Sequence, residues 1–416
     1  MASLPSLSIA RLSFAWRLGL LYAALFLVVG CYLPYLPVWL SWRRLGADQI
    51  AVLLAAPLFT RILFTPAIGF AADRLGDRRK ILIGLAWGSL ISFLLLWAAP
   101  MLLATMLLAI NWTTIMPLIE TVAVSGIRFR ALDYGRVRLW GSISFIVASL
   151  GAGFVIGWVG PGAVMPLLVA AAGLVILGVH LLPPELTESA STRTSAPRGP
   201  KLKDAVDLFR APLFLLFLLA ASCVQASHAL YYSFGSLHWR AQGIPAGAIG
   251  ALWSVGVVAE VALFAVSGRV IAYCGTVRLL MLAGLAAALR WACMAIDPPL
   301  LLTALLQTLH AMSFGAAHLA AIHFMAHAVP SDRAATAQGL YAAVVAGLVL
   351  GLVTIACGPL YRTFAGEAYA AMAMLALIGA GCAYLLMQRW RGGLVAGSDA
   401  AQPHSAGGGG KTLPAS

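Results

Sequence analysis

The stretch GFAADRLGDRRK, from Gly69 to Lys80, packs two acids and four basic residues into a dozen positions. On either side the chain is apolar, with LLAAPLFTRILFTPAI before it and ILIGLAWGSLISFLLLW after it. At 1.5 Å per residue, about 20 apolar residues make a helix that crosses a ~30 Å hydrocarbon core. A short charged loop between two such blocks therefore reads as the turn of a helical hairpin lying at a membrane surface.

The same alternation continues outward in both directions. Of the 416 residues, 62% are hydrophobic and only 10% charged, whereas a soluble domain carries roughly 25% charged residues. The blocks predict twelve spans, near 14–38, 48–72, 80–99, 101–125, 137–158, 163–182, 211–235, 247–269, 277–296, 299–328, 335–359 and 366–388. The longest polar stretch holds Pro183, Pro184, Pro197 and Pro200 and falls between the sixth and seventh spans. The expected fold is all-α and membrane-embedded, with twelve transmembrane helices in two six-helix bundles. Residues 1–182 form the first bundle, 183–210 a cytoplasmic linker and 211–391 the second bundle. Residues 392–416, rich in Gly, Ser and Ala, read as a disordered tail. A faint echo of the opening stretch, GRVIAYCGTVR (Gly268 to Arg278), follows the eighth span. Two related halves are the mark of a transporter built from repeats, with its substrate site near the midplane.

Loop charge sets the expected orientation. Of the 27 Lys and Arg residues, Arg43, Arg44, Arg240 and Arg362 fall in loops on one side, and Arg61 and Arg290 lie within spans. The rest fall on the side that carries both termini, so both termini are expected in the cytoplasm of a multi-pass inner-membrane protein. The net charge of +13 is thus spread over short loops against lipid, which argues against a nucleic-acid partner. Six cysteines show neither paired nor metal-ligand spacing and read as packing residues. No cofactor and no metal are expected. The partners expected are a small-molecule substrate, a proton and the bilayer, with the chain acting as a monomer and not as an enzyme.

Ionisable groups inside spans cost several kcal/mol and are functional candidates for that reason. They are Arg61, Glu120, Glu260, Arg290, His228, His310 and His318, with Arg138 just inside the fifth span. Glu120 and Arg138 read either as substrate ligands or as an ion pair locking two helices. Trp253 lies seven residues before Glu260, hence two turns away on the same face. Gln307, His310 and Ser313 form a polar stripe on an apolar helix, while His318 reads equally as a hydrogen-bonding partner of a neighbouring helix.

In Gly69 to Lys80, the order Gly69, Asp73, Arg74, Gly76, Arg78, Arg79 resembles the signature loop of the major facilitator superfamily. The resemblance implies a conformational latch: Asp73 would meet a neighbouring helix N-terminus and the arginines lipid phosphate. GCYLPYLPVWL (Gly30 to Leu40) and YGRVRLWGS (Tyr134 to Ser142) resemble the oligosaccharide–proton symporters of the lactose permease type. On that resemblance Glu120 and Arg138, 18 residues apart, match the family's substrate-binding carboxylate and guanidinium. Glu260, Arg290 and His310 match its second-half glutamate, ninth-span arginine and tenth-span histidine.

The departures bear on the substrate. Ser313 stands where those sugar permeases carry a proton-handling glutamate, Phe145 stands for the sugar-stacking tryptophan, and Gln225 and Ala229 stand for two aspartates. Arg61 with TPAIGFAADRLGDRR (Thr65 to Arg79), and TLHAMSFGAAH (Thr308 to His318), resemble the phenylpropionate permease-like group instead.

That resemblance implies a proton-coupled symporter importing a small organic solute, an aromatic carboxylate such as phenylpropionate, by alternating access. Arg61, Glu120, Arg138, Phe145 and Trp253 would bind it, with Arg61 and Arg138 holding the anion. Glu260 or Glu120 would take the proton, tuned by Arg290, His310 and His318. A sugar or nucleoside symporter, or a drug exporter, on the same scaffold remains the alternative.

Overall fold

A computed structural model describes residues 13–75, 77–98, 101–130, 133–183 and 202–395. Helix is the regular structure throughout these residues. Six long helices come first: α1 (Phe14–Trp42), α2 (Ala47–Leu75), α3 (Arg78–Ala98), α4 (Met101–Arg130), α5 (Tyr134–Val159) and α6 (Val164–Leu181). A short helix α7 (Leu202–Arg210) precedes the seventh span, which is built from α8 (Pro212–Ala226) and α9 (Ala229–Ala241). Helices α10 (Ala246–Ala265), α11 (Ser267–Cys274) and α12 (Thr276–Met294) follow. The tenth span joins α13 (Leu300–Thr308) to α14 (Ala317–Ala328) through a π-helical turn at Ala311–Ala316. The eleventh joins α15 (Ala334–Ala343) to α16 (Leu350–Phe364) through a second one at Val344–Val349, and α17 (Tyr369–Arg389) completes the set.

Eleven continuous stretches are long and apolar enough to cross a bilayer, and the last, Ser331–Arg389, runs for 59 residues. As one straight helix it would reach roughly 90 Å, about three times the hydrocarbon thickness. It is broken by a 3₁₀ turn at Ala365–Ala368, where Ala365 adopts a φ of +45°, a conformation that a side chain disfavours. The stretch thus holds two crossings, giving the twelve expected. The predicted ends lie within six residues of the helix ends, the widest gap falling at Ala241.

In the first half α1 packs on α5 and α6, and α4 packs on α2 and α3. In the second half α17 packs on α8 and α12. The halves meet where α5 crosses α10 and where α2 runs along α16. The α5–α10 crossing depends on small residues. A Cβ on Gly250 would run into the Ser149 carbonyl, and one on Gly153 would stand 2.5 Å from the Ala246 carbonyl. The hydroxyl of Tyr35 donates to both Ser149 O (2.8 Å) and Ala246 O (3.1 Å), and Ser149 Oγ donates to Gly250 O (3.2 Å). Arg362 pairs with Asp48 at 2.8 Å, joining α16 to α2 at the same end of the molecule. Together these contacts close the groove between the halves at the end carrying the α1–α2 turn.

The stretch expected to be a linker is in part ordered. Arg333 holds α7 to the start of α15 through Asp204 (3.5 Å) and Asp207 (3.4 Å). Residues 184–201 of the linker and 396–416 of the expected tail lie outside the described residues. Gly76 of the signature loop also lies outside them, as does the side chain of Asp73. The acid seen at a helix N-terminus is Asp77, whose Oδ1 accepts from Lys80 N at 3.1 Å and whose Oδ2 meets Lys80 Nζ at 3.1 Å. The Lys80 backbone N–H beside it, foremost, holds the Asp77 carboxyl below the usual carboxylate range. Arg79 donates to His180 O (2.9 Å) and Arg17 to Leu181 O (3.2 Å), so two cations cap the C-terminus of α6. Arg74 lies over the ring of Phe70 at 4.3 Å, Arg78 opens α3, and Gly69 has open space where a Cβ would stand.

Candidate functional site

A cavity of about 720 Å³ lies between the halves, within the range of small-molecule sites. Phe26, Glu120, Tyr134, Arg138 and Phe145 face it from α1, α4 and α5. Tyr231, Tyr232, Trp253, Glu260, His310, Phe314 and His318 face it from the second half. It extends to Tyr134, Phe264 and Ile322, near the ends of α5, α10 and α14 that lie away from the closed α5–α10 crossing.

On the first-half wall, Glu120 and Arg138 both face the cavity but make no ion pair with each other. Oε2 of Glu120 accepts the Tyr134 hydroxyl at 2.7 Å. The Arg138 guanidinium instead stacks over Phe26 at 4.4 Å and meets no acid within 4.0 Å among the described residues. Of the two readings of this pair, helix lock or ligand set, the geometry leaves both heads turned to the cavity.

The second-half wall carries a relay of polar groups. His310 stands between Glu260, whose Oε2 is 3.6 Å from Nε2, and Arg290, whose Nη1 is 3.2 Å from Nδ1. A guanidinium only donates, so Nδ1 must accept, and the neutral imidazole carries its proton on Nε2, the nitrogen facing Glu260. Arg290 is wholly buried. It is held by Gln307 Oε1 (2.5 Å) and Ser313 Oγ (3.4 Å) and by the rings of Tyr231 (4.7 Å) and Trp291 (4.5 Å). Among the described residues its partners are thus all neutral groups. Ser313 passes the chain on to His228 Nε2 (3.1 Å), whose Nδ1 donates to Val224 O (3.1 Å). His318 joins the wall by stacking: the rings of His310 and Phe314 lie 5.1 Å apart, and those of Phe314 and His318 6.4 Å apart, nearly parallel in both cases.

The π-helical turn directly after His310 widens this helix where it meets the cavity, a recurrent feature of functional sites. The seventh span breaks at Ser227 and His228, between α8 and α9. The break places Tyr231 and Tyr232 on the cavity wall, where Tyr231 stacks on Trp253 at 4.4 Å. Trp253 is fixed in turn by its indole N–H bond to Ser236 Oγ at 2.9 Å.

Most of the sequence-derived candidates therefore converge. Glu120, Arg138, Phe145, Trp253, Glu260, His310 and His318 line one cavity, and Arg290 lies directly behind His310. Arg61 is not brought to it. Its neighbour Ile62 packs at Gly347, in the π-helical turn that precedes α16, and Arg61 has no hydrogen-bond or ion-pair partner among the described residues. Two aromatics of the first half lie away from the cavity: Tyr35 ties the closed crossing and Trp140 packs on Trp16 at the exposed surface. Tyr134, Tyr231, Tyr232 and Phe314 had not been singled out. Tyr134 could have been, since it stands four residues before Arg138 on the same helix face.

The MFS_1 like family model matches residues 15–371. The chain is 30% identical over 372 residues to the Escherichia coli (strain K12) protein named "Probable 3-phenylpropionic acid transporter", covering 86% of this chain and 94% of that one. It is 26% identical over 378 residues to the maltose permease of Geobacillus stearothermophilus, covering 89% and 94%. The crystal structure of the nucleoside transporter NupG superposes with a TM-score of 0.76 over 91% of this chain and 99% of that one, and at 18% identity this likeness concerns the fold alone. Twelve spans around a central cavity, the match to the family model and the full-length relatives agree: the chain is a transporter of the MFS_1 like family within the major facilitator superfamily.

Proposed function

We propose that the protein is a proton-coupled symporter that imports an aromatic carboxylate across the cytoplasmic membrane. The carrying observation is the placement of Arg138, a cation with no acid within 4.0 Å among the described residues, on the wall of a cavity lined by Phe26, Phe145, Tyr232 and Trp253. A guanidinium takes a carboxylate in a bidentate pair, and the rings offer faces to an aryl group. The E. coli relative named for 3-phenylpropionic acid supports the same class. Arg138 replaces Arg61 as the anion's principal partner in this reading, because Arg61 lies outside the cavity in this conformation.

Glu260 is the proposed proton carrier. A carboxyl set among Trp253, Val257, Val261 and Phe264 is costly as an unpaired anion, and taking up a proton removes that cost. The charge arithmetic supports symport. With Glu260 ionised and no solute bound, the cavity has a certain net charge; adding one proton and one carboxylate together restores it. Solute without proton, or proton without solute, changes it.

On the orientation expected from the loop charges, the closed α5–α10 crossing would face outward and the cavity the cytoplasm. Release to the cytoplasm would then be followed by rocking of the halves about the cavity. The test is a thermal-shift screen of the purified protein against aromatic acids, sugars and nucleosides, since a ligand stabilises the state it binds. Stabilisation by aromatic acids, lost in Arg138→Ala, is expected; stabilisation by sugars or nucleosides alone contradicts the proposal.

A further inference from the structure

The short helix α7 leads into the seventh span, and its residues divide by direction. Arg333 draws Asp204 (3.5 Å) and Asp207 (3.4 Å) toward the start of α15. Leu208 is wholly buried, in the apolar cluster that holds Phe214 and Phe217. The acids and the anchor are thereby turned toward the protein. Lys203, Val206, Phe209 and Arg210 are exposed, and at 3.6 residues per turn they share an arc of about 120°. Val206 and Phe209 each keep 39% of their surface open. Neither Lys203 nor Arg210 makes a side-chain hydrogen bond or ion pair among the described residues.

This face lies close to lipid. Arg210 stands two residues before Pro212, where the seventh span begins, and α7 packs on α8 and α15, both parts of membrane spans. The residue between, Ala211, is extended and Pro212 has no N–H to continue the helix, so α7 and α8 are separate helices. Since α9 ends beside the closed α5–α10 crossing, the start of α8 lies at the opposite end of the molecule, where hydrocarbon gives way to headgroups. Two exposed apolar side chains flanked by two cations suit a helix lying in that zone: the apolar groups reach the acyl boundary and the cations meet the headgroups. Each cation strengthens attachment to an anionic surface by about fivefold. The two acids that would oppose such a surface are those that Arg333 holds.

We propose that the exposed face of α7 docks on anionic phospholipid, with Val206 and Phe209 among the acyl chains and Lys203 and Arg210 on the headgroups. The site is separate from the central cavity, to whose walls α7 contributes nothing. Because α7 is joined to α8 by the chain and to the start of α15 by Arg333, lipid bound there holds the ends of the seventh and eleventh spans together.

Photocrosslinking of the full-length protein in a bilayer tests it. Phe209→p-benzoylphenylalanine is reconstituted in nanodiscs of phosphatidylcholine and phosphatidylglycerol, about four to one, irradiated, and its adducts identified by mass spectrometry. Lipid adducts are expected, with phosphatidylglycerol about threefold or more above its share of the bilayer. Adding Lys203→Gln and Arg210→Gln, both at exposed positions, is expected to return that share to the bulk value. Crosslinks to the chain itself without lipid adducts would mean that protein covers this face, and overturn the proposal. Lipid adducts in the bulk ratio, or an enrichment that survives the double substitution, overturn the role of the two cations.

Discussion

Arg290 donates to Nδ1 of His310 at 3.2 Å, and this bond turns Nε2–H of the imidazole toward Glu260. The arginine thereby orients a proton-bearing edge at the carboxyl without touching it. Replacing Arg290 by Ala removes this constraint together with the bonds to Gln307 and Ser313. Uphill uptake is expected to fall at least about tenfold. Exchange of labelled for unlabelled solute across proteoliposomes, which needs no net proton movement, is expected to persist. Equal loss of both would mean that Arg290 serves the fold and not proton coupling.

Arg138 and Arg61 separate by their surroundings. Arg138 faces the cavity beside Phe26, whereas Arg61 is absent from the cavity's walls. Calorimetry with an aromatic acid is expected to show a loss of about tenfold or more for Arg138→Ala, since a bond to a charged group contributes roughly 1.5–3 kcal/mol. Arg61→Ala is expected to leave the affinity within about twofold. The opposite ranking would move the anion site to α2.

The α5–α10 crossing predicts a conformational variant. A Cβ on Gly250 meets the Ser149 carbonyl, a backbone atom that cannot rotate aside. Gly250→Ala is therefore expected to disfavour the closed crossing, cutting uptake by about tenfold, a 1.4 kcal/mol bias, while solute binding persists. Wild-type uptake would show that the crossing opens and closes with room to spare.

Asp77 gives a stability effect with a defined pH dependence. Its carboxyl is held below its ordinary range by the Lys80 backbone N–H and then by the Lys80 ammonium. A carboxyl depressed in the folded protein stabilises it above the unfolded value, near 3.9, and that contribution is lost as pH falls through the folded value. Asp77→Ala is expected to cost on the order of 0.5 kcal/mol at neutral pH, the low end for an N-cap facing water. The gap from the wild type in a melting experiment narrows on acidification below about pH 4; a gap that widens there contradicts the cap.

The spans were legible because crossing lipid imposes a length and an apolarity that few other structures share. The run from Ser331 to Arg389 could also be divided in the sequence, and its turn at Ala365–Ala368 contains Gly366. Glu260, His310 and Arg290 were legible because ionisable groups are rare in such helices. Which way each helix face turns was not. Arg61 looked equivalent to Arg138 on cost alone, and only the packing of α2 against α16 separates them. Tyr231 and Tyr232 reach the cavity through the break at His228, which depends on tertiary contacts such as the bond from Trp291 to Ser227. Asp77 immediately precedes α3 and carried the ordinary signal of an N-cap, which the signature-loop reading of Asp73 overshadowed.

The central claim is that a proton and an aromatic carboxylate move together. Its most direct test is uptake of a labelled aromatic acid into proteoliposomes whose interior is made alkaline relative to the medium. The account predicts accumulation above the equilibrium level, abolished by a protonophore and by Glu260→Gln. Accumulation that is indifferent to the protonophore, or uptake that never exceeds equilibration, would contradict it.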